Sequence, residues 1–407
     1  MRRIKLLFIT THPIQYQIPL FRHLAADDAL DFQVLFCHSE AGVGFVDPGF
    51  GVDFSWDISL FGGYTHRILY PHPPRSRGWQ QVELARAILR YVMCVRPDAV
   101  VLHGWPSRAF LYAWMWLLAR SIKVIQFCDG NIEQRQFLRR SRLNSVALGA
   151  LLRSCSSCCY VGSKNRAFYA SHGVATERLF ATPYAVDNEF FASRCAVLQP
   201  QRRELLMAMG LSPDHGPTLL FCGKLIAKKR VKLIVEAFHR ANLDGRANLV
   251  LVGDGQERGE LEHMIADLGL QNVRLVGFLN QTEMPRAYAV ADVLVLVSDP
   301  TETWGLVVNE AMACGIPVIA SESVGCAPDM VADHGCGWVV EFDSVSSLAR
   351  AFSEVVADPG GLRIRGERAR MVAQSHTFET MGAGFREAAL ATQSVKAKHG
   401  VQAAGAL

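Results

Sequence analysis

Residues 302–320 of the chain read ETWGLVVNEAMACGIPVIA, and this stretch says most about how the chain folds. Helical composition begins at Leu306, directly after a Trp-Gly pair that predicts a tight turn. The Gly-Ile-Pro sequence at 315–317 predicts the end of that helix, because proline cannot continue it. The apolar run that follows predicts a buried strand. The order of turn, helix and strand is typical of an α/β protein with a parallel sheet.

Two glutamates bracket the start of this predicted helix. Glu302 lies just before it, and Glu310 lies about one turn inside it, roughly 6 Å further along the axis. A helix N-terminus carries N–H groups without helical partners and a partial positive charge, so it attracts phosphate. The arrangement can hold a phosphate between two carboxylates, each of which accepts hydrogen bonds from hydroxyl groups. A sugar nucleotide has this layout, with sugar, diphosphate and ribose in that order. The alternative is a solvated helix that carries two surface acids.

Apolar runs alternate with helical stretches along the whole chain. Strands are predicted at IKLLFI, FQVLFC, AVVLH, VIQFC and CCYVG in the first half, and at TLLFCG, NLVLVG, VRLVG, VLVLVS and WVVEF in the second. Helices are predicted at Pro19–Ala26, Gln80–Val95, Arg108–Arg120, Arg142–Arg153, Lys164–Ser171, Arg230–Arg240, Glu257–Leu268 and Met284–Val290. This pattern predicts two doubly wound α/β domains with a cleft between them. In such sheets ligands bind beyond the carboxyl ends of the strands.

The domain boundaries follow from a break in this rhythm. Residues 196–217 lack a strand signal and carry several glycines and prolines, so we place a linker there. The first domain is then residues 1–195, and the second, which would bind the nucleotide, is residues 218–376. A helix over 377–392 and an unpatterned, disordered tail over 393–407 are predicted to complete the chain.

Composition limits the classes of function. The chain has 407 residues, half of them hydrophobic, and a formal net charge of +4. That charge is small for the length, which argues against a dedicated nucleic-acid binder and permits anionic small ligands or a lipid surface. The apolar stretch Ala109–Ala119 is too short to span a bilayer, and the N-terminal run IKLLFIT predicts a core strand rather than a signal peptide.

The eleven cysteines do not have the spacing of a disulfide framework. Several lie in or beside apolar runs, as buried thiols do. The cluster Cys155, Cys158 and Cys159 contains one C-x-x-C sequence, but no second pair accompanies it, so we predict a core strand rather than a metal site. A reduced, cytoplasmic setting is therefore expected.

Polar residues at predicted strand ends are the candidates for a site in the first domain. His103 follows the strand AVVL, and Asp129 follows VIQFC. His12 lies in the first β–α loop. All three side chains are expected near the cleft, with His12 and Asp129 on the acceptor side. The structural alternatives are an ordinary core or surface histidine and a turn-forming aspartate.

Glycine turns follow two predicted strands of the second domain. Gly223 and Lys224 directly follow TLLFC, and Lys228 and Lys229 come soon after them. Gly253 lies in the strand–turn–helix sequence LVGDGQER. Glycine lets the backbone approach a ligand closely. The alternatives are a solvated basic turn and a purely structural glycine turn.

The block at 302–320 resembles the donor-site motif of retaining glycosyltransferases of family four, the glycosyl transferases group 1, which have the GT-B fold. The resemblance covers spacing, turn, helix and following strand, and it extends from Leu219 to about Glu341. It is weaker but compatible from Met1 to about Ala192. It implies two Rossmann-like domains that face a cleft, with a final helix, here Thr377–Leu390, that crosses back to the first domain.

The resemblance also implies roles for the candidate residues. Family members carry an arginine and, five residues later, a lysine that grip the diphosphate; Lys224 replaces the arginine, and Lys229 matches the lysine, with Lys228 as an alternative. The amides of Trp304, Gly305 and Leu306 would stabilise charge on the leaving diphosphate. Gly253 would lie near the nucleotide base. Catalytic roles are therefore expected for His103, Glu302, Lys224 and Lys229, and donor contacts for Gly223, Gly253, Trp304, Gly305, Leu306 and Glu310.

The chain departs from the family pattern in two loops. The loop THPIQYQ after the first strand holds no glycine, so a backbone contact to phosphate is not expected there. In TPYAVDNEFF, Tyr184 and Ala185 stand where relatives commonly carry Asn-Gly.

A basic, partly apolar stretch is a candidate membrane contact. Its arginines are Arg135, Arg139, Arg140, Arg142 and Arg153, interleaved with Phe137, Leu138, Leu148, Leu151 and Leu152. Such a surface would suit lipid-linked acceptors at the inner face of a membrane. An ordinary solvated helix face is the alternative.

We therefore expect a retaining glycosyltransferase that moves a sugar from a nucleotide diphosphate donor to a hydroxyl of a glycan, lipid-linked or small-molecule acceptor. Cell-surface polysaccharide or glycolipid synthesis is the expected role, with no cofactor, no metal and no nucleic-acid partner. The alternatives are a sugar-nucleotide epimerase of the same fold, for which only Asp129 and Glu133 are candidate carboxylates in the first domain, and a non-catalytic nucleotide-sugar-binding protein.

Overall fold

The computed structural model of the protein describes residues 2–39, 57–73, 78–104, 107–137 and 142–403, together with two short strands, Phe45–Val46 and Asp53–Phe54. For residues 137, 142–144 and 394–403 only the backbone is described. The chain forms two compact units. The first unit comprises Met1–Val43, Ile58–Tyr184 and Phe378–Leu407, and the second comprises Gly44–Asp57 and Ala185–Thr377.

The first unit is built on a parallel sheet. Its strands are β1 (Ile4–Thr10), β2 (Leu30–His38), β5 (Thr65–Tyr70), β6 (Ala99–His103), β7 (Lys123–Phe127), β8 (Ser157–Tyr160) and β9 (Leu179–Ala181). Within the described part of the chain they lie in the order β5-β2-β1-β6-β7-β8-β9. The two short strands Phe45–Val46 (β3) and Asp53–Phe54 (β4) pair antiparallel in the second unit.

Helices cover both faces of the first sheet. They are α1 (Ile18–Ala26), α2 (Trp79–Val95), α3 (Arg108–Ala119), α4 (Ile132–Phe137), α5 (Arg142–Ser154), α6 (Ser163–Ser171) and α15 (Phe378–Ala403). The last helix is part of this core, because the ring of Phe385 contacts the rings of Phe8 and Phe127 at centroid distances of 5.8 and 5.0 Å. Its backbone stays helical to Ala403, into the segment predicted as a tail.

The second unit repeats the design. Its strands are β10 (Thr218–Cys222), β11 (Asn248–Val252), β12 (Val273–Gly277), β13 (Val293–Leu296), β14 (Val318–Ser321) and β15 (Gly337–Val340). Its helices are α7 (Asn188–Leu198), α8 (Arg202–Ala208), α9 (Val231–Arg240), α10 (Arg258–Asp267), α11 (Met284–Val290), α12 (Leu306–Ala313), α13 (Val345–Ala357) and α14 (Pro359–Ala373). The residues predicted as a linker, 196–217, contain α8 and belong to this unit.

Strand order confirms the doubly wound prediction for both units. The second sheet has the order β12-β11-β10-β13-β14-β15, and each pair of neighbouring strands is parallel. This is the order of a dinucleotide-binding fold, in which the connections reverse direction at the first strand. The first sheet has the same order with one further strand, β9. The strands are near-continuous apolar runs because helices bury both faces of a parallel sheet. Among the described residues, no helix is long and apolar enough to cross a membrane.

Candidate active site

In the second unit, the candidate residues lie at the carboxyl edge of the sheet, around its first strand. Gly223 directly follows β10, Gly253 follows β11, and Glu302 follows β13. Strand β10 lies between the other two, so the chain leaves it at the point where the strand order reverses. That point is where open α/β sheets bind their ligands. The fold therefore brings together turns that are up to 79 positions apart in sequence, between 223 and 302.

Two glycine turns pack directly against each other at this edge. Gly253 has a φ of +133°, and a Cβ atom on it would lie 1.9 Å from the carbonyl oxygen of Gly223. Gly255 is equally confined, since its Cβ would lie 2.5 Å from the carbonyl oxygen of Leu225. The backbone of Leu225 donates to the carbonyl of Asp254 at 2.8 Å. Gly253 therefore has a packing role, because only glycine permits this contact.

The basic turn after β10 is a short 3-10 helix, Ala227–Lys229, that ends at Arg230 in the left-handed region (φ 54°). Lys229 forms an ion pair with the carboxylate of Glu302, and Nζ of Lys228 lies 3.7 Å from the same oxygen. A backbone hydrogen bond of 2.9 Å from Asp299 to the carbonyl of Lys228 joins the two turns. Lys229 and its alternative from the sequence, Lys228, therefore both face Glu302.

Glu302 is held in its ionised form despite its burial. Glu302 is only 8% exposed to solvent. Burial acts to raise the pKa of Glu302, but the charges of Lys229 and Lys228 outweigh it and lower that pKa below its ordinary value. A carboxylate that stays ionised accepts hydrogen bonds only, so it is suited to hold the hydroxyl groups of a ligand.

The turn before α12 is shaped by a buried tryptophan and a strained glycine. The indole of Trp304 is buried and donates to Oδ1 of Asn309 at 2.8 Å. Gly305 has a φ of +103°, and a Cβ on it would lie 2.6 Å from Leu296. Gly305 provides no side-chain cap for α12, and the first amides of a helix are groups that can bind an anion. The side chain of Trp304 thus supports the turn, and only its backbone is suited to a ligand.

Glu310 lies one turn inside α12 in a different environment from Glu302. The hydroxyl of Tyr288, on α11, donates to Oε2 of Glu310 at 2.5 Å. Tyr288 itself is only 1% exposed. Burial raises the pKa of Glu310 to about 7, against the smaller effect of the tyrosine hydrogen bond. Sequence reasoning missed Tyr288, since α11 shows only an ordinary apolar helix pattern around it.

In the first unit, His103 ends β6 and is fixed by three neighbours. Thr10 Oγ1 lies 3.0 Å from its Nδ1, and Gln17 Nε2 lies 3.1 Å from its Nε2. Its ring stacks on Phe127 at a centroid distance of 5.1 Å. Burial, and then the nearby His12, lower the pKa of His103 to about 4. The imidazole is therefore neutral near pH 7, so one of its nitrogens donates a hydrogen bond and the other accepts one.

His12 is exposed and stacks on His38 at the end of β2, with ring centroids 5.5 Å apart and planes 20° from parallel. Burial and His12 also lower the pKa of His38 to about 4. The ends of three adjacent strands, β2, β1 and β6, thus carry a row of histidines. His38 was not identified from the sequence; its place as the last residue of FQVLFCH was the available signal.

Asp129 follows β7 as predicted and acts on a pair of tyrosines. The rings of Tyr16 and Tyr184 meet edge to face, with centroids 5.7 Å apart. Burial, and then the charge of Asp129, raise the pKa of both hydroxyls. Tyr184, which replaces the family's usual Asn, is therefore a buried partner of Tyr16.

The remaining candidate groups are structural or only partly described. Cys155, Cys158 and Cys159 are buried and free, as predicted for a core strand. Among the described residues, no group of three or more His, Cys, Asp and Glu side chains is arranged to hold a metal ion. In the predicted membrane surface, Arg153 donates to the carbonyl of His172 at 2.9 Å. Leu138, Arg139 and Arg140 lie outside the described residues, as do the side chains of Phe137 and Arg142.

Comparison with known proteins finds one family model that matches part of the chain and solved structures that share its fold. Residues 203–375 match the family model described as Glycosyl transferases group 1. The chain is 32% identical over 142 residues to the N-acetyl-alpha-D-glucosaminyl L-malate synthase of Bacillus anthracis, which covers 35% of this chain and 36% of that protein. The chain thus spans less than half the length of this curated relative.

Two solved structures match nearly the whole chain. A glycosyltransferase from Rickettsia africae ESF-5 has a TM-score of 0.75 at 15% identity, covering 97% of this chain and 99% of that one. HepE from Anabaena, solved in complex with UDP and glucose, has a TM-score of 0.69 at 16% identity, covering 95% and 99%. The GT-B fold predicted from the sequence is confirmed.

Proposed function

We propose that this chain, whose residues 203–375 match the family model of the glycosyl transferases group 1, is a retaining glycosyltransferase. It moves a sugar from a nucleotide diphosphate donor to a hydroxyl acceptor. One observation carries the proposal: Lys229 and Lys228 both face Glu302 at the turn that leads into α12, the helix that bears Glu310. A sugar nucleotide requires groups for a sugar, a diphosphate and a ribose in that order. Glu302, then the lysines and helix amides, then Glu310 provide them.

The leaving diphosphate is assigned to the turns after β10 and before α12. Lys224, Lys229 and the backbone amides from Trp304 to Leu306 stabilise the negative charge that develops as the bond to the sugar breaks. Preorganised donors of this kind are among the strongest catalytic contributions, since they need no rearrangement during the reaction. Binding of the diphosphate would also compete with Glu302 for Lys229.

The two carboxylates are assigned to opposite ends of the donor. Glu302, ionised and beside the lysines, accepts hydrogen bonds from the hydroxyls of the transferred sugar. Glu310, beside Tyr288, accepts them from the ribose. We assign no nucleophile in the protein: the acceptor hydroxyl attacks the face that the diphosphate leaves, and the leaving phosphate helps to remove its proton. Neutral His103 is assigned to the transferred sugar.

The donor is proposed as a UDP-, GDP- or ADP-sugar, and the structure of HepE with UDP and glucose supports this class. The acceptor is proposed as a hydroxyl of a glycan or a lipid-linked sugar, in the synthesis of a cell-surface polysaccharide or glycolipid. The reaction needs no metal in this scheme, because lysines and amides neutralise the diphosphate. A cytoplasmic protein that contacts the inner face of the membrane would fit that role.

The test is a thermal-shift screen of the full-length protein against UDP-, GDP- and ADP-sugars. The donor that raises the unfolding temperature is then incubated with the protein alone and with hydroxyl acceptors, and the products are analysed by NMR. We expect slow hydrolysis without acceptor, and with acceptor a glycoside that keeps the anomeric configuration of the donor. An inverted product would refute the retaining mechanism. A new sugar nucleotide from donor alone would identify an epimerase, and stabilisation without any reaction across the acceptor panel would favour a binding protein.

A further inference from the structure

Two cysteine thiols of the second unit lie in contact at the opposite edge of the sheet from the candidate active site. Cys195 is on α7, and Cys314 follows the last residue of α12. Cys314 Sγ lies 3.5 Å from the carbonyl oxygen of Phe191, which is one helical turn before Cys195 on α7, so the two thiols are neighbours. The two helices therefore meet through a pair of thiols that are 119 positions apart, between 195 and 314.

The thiol pair is reachable from solvent. Cys195 and Cys314 line a cavity of about 620 Å³, together with Arg363, Glu367 and Arg370. The side chains of Arg363 and Glu367 are 76% and 62% exposed, so the cavity opens to water. A small oxidant can therefore reach sulfur atoms that belong to otherwise buried residues.

The surroundings of the pair favour a thiolate on one sulfur. The neighbouring thiol of Cys314 lowers the pKa of Cys195, and although burial opposes this, the positive charge of Arg370 lowers it as well. Arg370 is held in place by a 3.3 Å hydrogen bond from Nη2 to the carbonyl of Cys314. The thiolate is the reactive form of cysteine, and a thiol partner beside it can resolve the first oxidation product.

A second thiol pair in the same protein provides the contrast. Cys155 and Cys158, in the first unit, are also neighbouring thiols, but they are only 1% and 0% exposed. Burial raises the pKa of Cys155 well above its ordinary value. Contact between thiols is thus common to both pairs, whereas access and a neighbouring cation distinguish Cys195 and Cys314.

We propose that Cys195 and Cys314 form a peroxide-sensitive modification site that closes to a disulfide between α7 and the end of α12. In the first step the Cys195 thiolate attacks a peroxide oxygen; an S–O bond forms, the O–O bond breaks, and hydroxide leaves and takes up a proton. Cys195 is thereby oxidised to a sulfenic acid and the peroxide is reduced. In the second step Cys314 sulfur attacks Cys195 sulfur, the S–S bond forms, the S–O bond breaks, and water leaves with the thiol proton. Two thiols and one hydrogen peroxide give one disulfide and two waters.

Closing this bond acts on the helix that carries Glu310. The amide of Cys314 donates to the carbonyl of Glu310 at 3.2 Å, so the two residues share the last turn of α12. On the other side of the bond, the ring of Phe191 contacts the ring of Tyr288 at 5.8 Å, and Tyr288 holds the Glu310 carboxylate. Oxidation is therefore expected to weaken nucleotide binding, a consequence that rests on the proposed function.

The test uses full-length protein with Cys94→Ser, because Cys94 is exposed and would link separate molecules. After treatment with hydrogen peroxide, peptide mass spectrometry without reductant should find the 195–314 linked peptide, while Cys155 and Cys158 stay as thiols. Cys314→Ser should stop at a sulfenic acid that dimedone labels at Cys195, and Cys195→Ser should give neither product. Oxidation of Cys94 in the unmutated protein, under the same treatment, shows that the peroxide is active. If Cys195 and Cys314 remain free thiols under those conditions, the proposal is overturned.

A second arm measures the link to Glu310 by titration with UDP, GDP and ADP before and after oxidation. The dissociation constant should rise about fivefold or more, the lower end of typical coupling between sites, and dithiothreitol should restore it. A linked peptide without this change would overturn the coupling to Glu310 and leave the modification site standing. If the reduced protein binds none of the three nucleotides, it is the proposed function that fails, since the peptide analysis does not depend on it.

Discussion

Lys229 pairs with Glu302 across 73 positions of sequence, and Lys228 lies 3.7 Å from the same carboxylate oxygen. The pair joins the turn after β10 to the turn before α12, so two loops that would each be adjustable are held in one arrangement. A bound diphosphate would take over the charge of Lys229 and leave the carboxylate of Glu302 to the sugar. Preorganisation of the empty site and recognition of the donor thus use the same two groups.

Replacing Lys229 by alanine should weaken binding of UDP or GDP by about 1.5–3 kcal/mol, the scale of a hydrogen bond to a charged group. Isothermal titration calorimetry measures this directly. The matched control is Lys232→Ala, since Lys232 pairs with Glu257 at 3.2 Å and with Glu260 on the neighbouring helix. Thermal unfolding of both variants checks that they are folded. Equal nucleotide affinity in the two variants would sink the assignment of Lys229.

Substitutions of the two glutamates should affect the binding of different ligands. Glu310→Gln should weaken binding of both the free nucleotide diphosphate and the sugar nucleotide, because both contain the ribose. Glu302→Gln should impair donor binding and turnover without weakening the free diphosphate, since it removes only the partner of the sugar and also releases Lys229. Each change keeps the side-chain shape. If both variants bind the free diphosphate as the wild type does, the assignment of Glu310 to the ribose is wrong.

Nucleotide binding should release protons near pH 6. The pKa of Glu310 is raised to about 7, so the free protein is mostly protonated at this position at pH 6. Ribose hydroxyls donate to the ionised carboxylate and favour that form, which lowers the pKa and expels the proton. At pH 8 the group is already ionised and the release should vanish. Calorimetry in buffers of different ionisation enthalpy counts the protons, and Glu310→Gln is the control; proton uptake at pH 6 would contradict the model.

His103→Ala should reduce turnover about tenfold or more while leaving nucleotide diphosphate affinity unchanged, since the side chain is assigned to the sugar and not to the diphosphate. Its pKa of about 4 means that this group should add no titration step to kcat/KM between pH 6 and 8. His239→Ala, an exposed position on α9, serves as the control. Full turnover in His103→Ala would show that His103 serves only the packing of the first unit and not the reaction.

Gly253→Ala should lower the free energy of unfolding by more than about 2 kcal/mol, because the new Cβ combines a positive φ with a clash against the carbonyl of Gly223. Gly259→Ala is the matched control: nothing lies within 4 Å of its Cβ position, and it sits inside α10. There alanine should be neutral or stabilise by up to about 1 kcal/mol. Urea denaturation of both variants compares them, and a stable Gly253→Ala protein would show that the two turns can separate.

The elements that were predictable from the sequence are those fixed by local pattern. Strands buried on both faces appear as continuous apolar runs, and the turns at Gly223, Gly253 and Gly305 appear as glycines at strand or helix ends. The positions of Glu302 and Glu310 relative to α12 follow from spacing alone. Helix α8 was missed because Pro200 and the later glycines suggested a linker. Pro200 instead lies in the 3-10 helix Gln199–Gln201 that joins α7 to α8, where its missing N–H has no cost.

What could not be predicted depends on contacts between distant parts of the chain. The hydrogen bond from Tyr288 to Glu310 joins two helices, and neither sequence segment indicates the other. The stack of His12 on His38 requires β1 and β2 to be neighbours in the sheet. The raised pKa of Glu310 and the lowered pKa of Glu302 likewise arise from burial and from neighbours, although the two residues lie in one motif.

The last helix gives the chain an unusual order of assembly during synthesis. Phe385 packs on Phe8 and Phe127, yet it leaves the ribosome only after residues 185–377 have been made. The part of the first sheet that α15 covers must therefore stay exposed while the whole second unit is translated, although domains generally fold in the order of their synthesis. A nascent chain that stalls before Phe378 would present that part of the sheet to chaperones, and a fragment consisting of the first 184 residues would aggregate for the same reason. Joining Tyr184 to Phe378 by a short linker would instead give the first unit a continuous chain of its own.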